Sequence, residues 1–225
     1  MRLSGDSEIQ QLISDTLAQR PYSHDQTVRD DVVAVITVES DMRFFPDTLA
    51  AVLRQSVLPS TIVIADCSGQ TLQSVQTSFK VIPTQADALH GVPQEHTVHV
   101  QVLKVAQARS FGDAVAKVLR NAQIDTTAKT LWLLHDDSRP ADPICLEQLL
   151  DTWTNTPTAA LIGCKQLDWD AVRLHDVGKY ASHHEVVSLV VDGEPDQEQY
   201  DSRSDMFAVS LAGALIPVNT WRSVH

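Results

Sequence analysis

Glycine is scarce in this chain, with 8 in 225 residues, and neither GxGxxG nor GxxxxGKS/T occurs. That removes the two glycine-rich devices by which backbone N–H groups cradle a phosphate. Basic residues are few as well: 17 Lys and Arg stand against 29 Asp and Glu, a net charge of −12 with no block of positive residues. Non-specific binding to nucleic acid is therefore not expected. A phosphorylated ligand would need a cation to screen its approach. The three cysteines, Cys67, Cys145 and Cys164, are far apart and form no CxxC pair. They fit reduced thiols of a cytosolic compartment, not a disulfide framework. The longest apolar runs, such as VSLAGALIPV (209–218), fall short of the ~18 residues a membrane span needs. The opening MRLSGDSE lacks the basic-then-apolar order of a signal peptide. A soluble, cytoplasmic chain is expected, with membrane association of a longer protein left open.

What the chain does contain is a series of buried-strand runs. VVAVITV (32–38) is continuous and β-branched, as in a strand covered on both faces of a parallel sheet. FPDTLAAVLRQS (45–56) follows, with Leu49, Val52 and Leu53 at helical spacing and Pro46 in the first turn. TIVIAD (61–66) is the next strand, which completes a βαβ unit. VHVQVLKV (98–105) alternates like a half-buried strand, and residues 80–97 before it are loop-like. SFGDAVAKVLRNA (110–122) predicts a helix opened by a capping box of Ser110 and Asp113. KTLWLLH (129–135) is a strand, Asp142-Pro143 starts another helix, and AALIGCK (159–165) is a further strand. Residues 1–30 are polar and acidic; they are expected to form an extension outside a domain of residues 31–225. The last apolar segment is MFAVSLAGALIPV (206–218).

Successive strand runs end in acid: Glu39 after VITV, Asp66 after IVIA, and Asp136-Asp137 after LWLLH. In an open parallel sheet, ligands bind beyond the carboxyl ends of the strands. If these strands are neighbours, the carboxylates share one rim. Acids also end strands simply because water begins there, but a shared rim with an acid pair has a chemical use. Converging carboxylates hold Mg2+ or Mn2+, hard ions that keep positions open for substrate phosphates. They also accept hydrogen bonds from ribose hydroxyls or a base N–H. The paired acids thus suit a metal that meets a nucleotide diphosphate.

The order VVAVITV, Glu39, PDTLAAVLRQS, IVIAD, CSG, FGDAVAKVL, LWLLHDDS, ALIGCK resembles a family 2 glycosyltransferase of the GT-A type, over roughly residues 31–222. The resemblance implies a Rossmann-like α/β/α sandwich with a mostly parallel central sheet. It implies a nucleotide diphosphate sugar as donor and a saccharide or lipid-linked acceptor, as in cell-wall or polysaccharide biosynthesis. An inverting direct displacement with Mg2+ or Mn2+ is the implied reaction, its transition state of oxocarbenium character. Carried over by position, Asp66 would contact the base and Glu39 the base or ribose. His135-Asp136-Asp137 would occupy the D-x-D, with Asp137 on the metal and Asp136 near ribose or phosphates. Arg109 would lie by the nucleotide. His135 departs from the family pattern: a neutral imidazole there still hydrogen-bonds but brings less negative charge to the metal. Ala212 and Gly213 would leave room for the donor sugar, although tight strand packing explains small residues equally well. The family's catalytic base follows the Trp of this last segment, so it is expected beyond His225, and the chain is expected to hold the donor half of a site.

Other signals are weaker. His175, His183 and His184 match no zinc spacing, and HExxH fails at Ser188. Ser68 and Ser210 lack a GxSxG elbow. Cys67 beside Asp66 makes a poor nucleophile, because a neighbouring carboxylate raises a thiol pKa. Two alternatives remain: a nucleotidyltransferase, which would want an early glycine-rich or basic segment where only Arg43 stands, and a non-catalytic acidic-rim domain of receiver type.

Overall fold

The computed structural model describes residues 6–20, 26–68, 75–82, 95–105, 107–121, 128–181, 183, 185–188, 191–202 and 205–224. Helix α1 (Asp6–Ala18) leads into strand β1 (Thr27–Val38), helix α2 (Phe45–Leu53) and strand β2 (Val57–Asp66). Strands β3 (Val75–Val81) and β4 (His96–Lys104) follow, then helix α3 (Phe111–Asn121), strand β5 (Thr130–His135) and helix α4 (Cys145–Asn155). Short pieces β6 (Gln166–Leu167), β7 (Leu174–Asp176), β8 (Lys179–Ala181) and β9 (Val186–Ser188) precede strand β10 (Leu215–Pro217) and helix α5 (Val218–Val224). Among the described residues, no helix is long and apolar enough to cross a membrane.

The main sheet has the order β10-β5-β1-β2-β4-β3. Its centre is parallel, with β1 between β2 and β5 and β4 outside β2, while β3 and β10 are antiparallel edges. The expected α/β architecture with a mostly parallel sheet is what the chain adopts. The inner strands bury both faces, which is why they are continuous apolar runs. Val32, Ala34, Ile36 and Val38 face one layer with Leu49, Val52, Leu146 and Leu149; Val33 and Val35 face the other with Ala114, Val115, Val118 and Trp221. Helices α1, α2 and α4 therefore cover one side, and α3 and α5 the other.

Three expectations need correction. The extension expected outside the main fold contains α1, whose Ile9 and Ile13 are 1% and 3% exposed within the core. Its signal is thin because one apolar face of a short helix sits among acids. The strand expected at 159–165 is a single bridge, Ile162 to Leu215. Its partner edge is three residues long and closes on Pro217, which has no N–H to donate. Conversely, β3 has no counterpart in the sequence reading. It is an edge strand with mostly exposed side chains, so it carries Gln, Thr, Ser and Lys instead of an apolar run. The ends of the loop-like stretch 80–97 belong to β3 and β4, and its middle, residues 83–94, lies outside the described residues, as do His184 and His225.

Candidate functional site

The register of the sheet decides where the acids fall. Val38 pairs with Asp66 across β1 and β2, and Thr37 pairs with His135 across β1 and β5. Asp66 in turn pairs with Lys104 at the end of β4. Backbone bonds continue past the strand ends, with Cys67 N donating to Val38 O at 2.8 Å and Asp136 N to Thr37 O at 2.9 Å. Glu39, Asp66, His135, Asp136 and Asp137 thus gather at one carboxyl rim, the placement that the strand-terminal acids suggest. Arg109 follows the end of β4 at the entrance to α3. Its backbone N–H donates to Asp113, completing a cap in which Ser110 Oγ accepts from Asp113 N, and its side chain is exposed.

The acids differ sharply in environment. Asp136 is buried, and both its oxygens are engaged: Oδ2 accepts the Glu39 backbone N–H at 2.8 Å, and Oδ1 lies 2.8 Å from His135 Nδ1. Its carbonyl accepts the Thr48 hydroxyl at 2.7 Å. The carboxylate expected near ribose or phosphates ties the ends of β1 and β5 together beneath the rim, and the backbone carbonyl of the same residue holds α2 through Thr48. Asp137, with a side chain 58% exposed, reaches outward and also meets His135 Nδ1 at 2.8 Å. Glu39 is open to solvent, and its Oε1 is 3.7 Å from His135 Nε2. Asp66 is fully buried; its Oδ1 accepts both the backbone N–H and the hydroxyl of Ser68, turning the chain after β2.

His135 is not the neutral imidazole expected. The hydrogen bond to Asp136 raises its pKa, burial opposes, and the charge of Asp136 with the bond and charge of Asp137 complete a rise to about 9. At pH 7 it is an imidazolium shared between two carboxylates, its ring 6.1 Å from that of Phe111. The Cys67 thiol records the same convergence. Burial pushes it up, and the charges of Asp66, Glu39 and Asp136 carry it to about 11. It is a poor nucleophile, as expected.

The donor atoms of His135, Asp136 and Asp137 lie within 4.8 Å of one another, the one such group among the described residues. With the His135 ring protonated and both Asp136 oxygens engaged, Asp137 is the open oxygen ligand that a divalent cation would meet here. His175, by contrast, makes an exposed hydrogen bond with Asp192, Nδ1 to Oδ1 at 3.1 Å.

At the other flank, Gly213 N donates to Leu133 O, and Ala212 O accepts from the Gln166 amide at 2.8 Å. Gly213 has φ +84, and a Cβ there would sit 2.6 Å from Cys164 Sγ. Backbone conformation and close packing account for this glycine.

Several supports escape a reading of the sequence. Thr48 has no local signature, since its partner Asp136 is distant in sequence. Ser138, which accepts from His135 N at 2.7 Å and donates back to its carbonyl, is a serine turn that HDDS does signal. Beyond it, Arg139 lies 4.3 Å over the Trp169 ring and donates to Trp169 O, while Trp169 packs on Phe44 at 4.5 Å. This stack joins the loops after β1 and β5 beside the rim.

With that geometry in place, similarity to known proteins is informative. Residues 131–225 match the family described as glycosyl transferase family group 2. The resemblance to family 2 glycosyltransferases is thus borne out over the stretch that carries His135, Asp136, Asp137, Ala212 and Gly213. The match does not reach Glu39, Asp66 or Arg109. No protein of curated function matches the chain. Among solved structures, the mannosyltransferase PcManGT from Pyrobaculum calidifontis, in complex with GDP-Man and Mn2+, aligns at TM-score 0.40 and 13% identity. The alignment covers 72% of this chain and 44% of that one, so the chain spans less than half of its length.

Proposed function

We infer that this chain binds a nucleotide diphosphate sugar at the carboxyl rim and serves a glycosyltransferase that passes the sugar to an acceptor hydroxyl. The observation that carries the reading is the register-enforced meeting of Glu39, Asp66 and the 135–137 triplet, together with the family match over the last of these. Asp66 and Glu39 are assigned to the base and ribose, and Arg109 to the edge of the nucleotide. Asp137 would hold Mg2+ or Mn2+, which when bound neutralises the departing diphosphate. Asp136 positions: it holds the Glu39 backbone and fixes His135. His135 in turn limits the negative charge that the rim presents in the absence of metal. Ala212 and Gly213 form the flank on the sugar side. The displacement is assigned as inverting, and the acceptor's base is assigned to no residue of this chain.

Titration calorimetry with nucleoside diphosphates, with and without Mn2+, tests the reading. Metal-dependent heat that saturates at millimolar ligand or below is expected. A flat titration in the presence of Mn2+ would reject the proposal.

A further inference from the structure

The sheet has a second end. Where β1 and β5 begin, a groove of about 470 Å3 opens between α4 and α5, lined by Arg29, Asp31, Lys129, Trp153, Asn219 and Arg222 among others. Five residue steps of β5 separate Thr130 from His135, about 17 Å at ~3.3 Å per residue, so one small ligand cannot touch both ends. The groove reverses the sign of the molecule. In a chain of net charge −12 it gathers three cations against a single acid.

Most of that positive charge is left unneutralised. Arg29 is clamped by Asp31 through Nε at 2.9 Å and a terminal nitrogen at 3.0 Å, which fixes its plane and leaves donors over. Among the described residues, the exposed side chains of Lys129 and Arg222 have no ion-pair partner; Lys129 acts on the Asp31 carboxylate only at longer range. Lys80 meets Glu95, Lys117 meets Asp113, and Lys165 meets both Asp196 and Asp201, whereas Lys104 and Lys179, each on its own, share with Lys129 the lack of an ion-pair partner among the described residues. What sets Lys129 apart is that Arg29 and Arg222 line the same groove. Trp153, half-buried, supplies a flat apolar wall, and Asn219 an amide donor.

We propose that this groove is a second ligand site, binding a small polyvalent oxyanion of the pyrophosphate class. Two cations without ion-pair partners, beside an already anchored guanidinium, leave a net positive charge that a monovalent ion does not neutralise. Arginine offers paired N–H donors to a phosphate, and lysine a mobile point charge. The volume is that of a small-molecule site. The site does not depend on the carboxylate rim or on the function assigned to it.

The test uses inorganic pyrophosphate, titrated at low ionic strength without divalent metal, so that the acidic rim has nothing to offer an anion. Calorimetry and tryptophan fluorescence follow binding. One saturable site is expected, weakened at least tenfold in Lys129→Gln/Arg222→Gln and unchanged in Asp137→Asn. Added salt should weaken it further. Equal affinity in the double variant and the parent, or no saturable signal at millimolar pyrophosphate, overturns the proposal. Circular dichroism checks that the double variant is folded. Should it not fold, the single variants Lys129→Gln and Arg222→Gln carry the comparison, each expected to weaken binding several-fold.

Discussion

The Glu39 backbone N–H donates to Asp136 Oδ2 at 2.8 Å across 97 residues of sequence. One buried carboxylate therefore holds the end of β1 against the end of β5, and holds His135 with its other oxygen. Replacing Asp136 with Ala strands a backbone donor and a cationic ring together. We expect Asp136→Ala to cost about 2–4 kcal/mol, because the partners left behind are desolvated. Urea unfolding measures it; a loss below about 0.5 kcal/mol would show that the carboxylate does not tie the rim.

Asp137 should separate from its neighbour. Its side chain is 58% exposed, so Asp137→Asn is expected to leave stability within about 0.5 kcal/mol of the parent. Mn2+-dependent nucleotide binding should fall at least tenfold in the same variant. Chelation of the metal by EDTA should bring the parent to the same level. Unchanged Mn2+ dependence in Asp137→Asn would move the cation elsewhere.

Cys67 reports on the rim through pH. Its pKa rises from 9.0 to about 11, so the folded protein keeps this proton where the unfolded chain has lost it. The sign follows: the unfolded state binds fewer protons, and stability falls as pH climbs from about 9 towards 11. Below that window the thiol contributes no pH dependence. Alkylation by iodoacetamide at pH 8 should be about a hundredfold slower than for an unperturbed thiol, because the reactive thiolate is rarer by that factor. Asp66→Asn removes the foremost of the charges that act on the thiol and should quicken the reaction several-fold. A rate equal to that of a free thiol in the folded parent would contradict the convergence of acids around Cys67.

The inner strands are legible in the sequence because burial on both faces demands apolar residues at every position, and the acids mark where each strand meets water. Edges are not: β3 shows one face to solvent and hides its strand character among Gln, Thr and Lys. Networks between distant residues show in neither composition nor period. Gln55 illustrates this. Its amide donates to Asp142 O at 2.8 Å, and its Oε1 accepts from Leu146 N at 2.9 Å, supplying the start of α4 with a partner. No residue near Gln55 in sequence announces that contact. The same holds for His135, whose charge state is set by how Asp136 is oriented from below.

Gly213 offers a last test, since its two constraints can be pulled apart. The backbone is at φ +84, where a Cβ is unfavourable by roughly 1 kcal/mol, and the added methyl would meet Cys164 Sγ at 2.6 Å. Gly213→Ala should therefore lose more stability than the backbone conformation alone accounts for, about 2–3 kcal/mol by thermal or urea unfolding. Shortening the neighbour removes only the contact: in a Cys164→Ala background the same substitution should cost about 1 kcal/mol, the part that belongs to φ. If both backgrounds show the same loss, the sulfur yields freely and conformation alone demands glycine here. If neither shows a loss, the chain between Leu211 and Ala214 does not hold the left-handed turn that brings Gly213 N to Leu133 O at 2.7 Å.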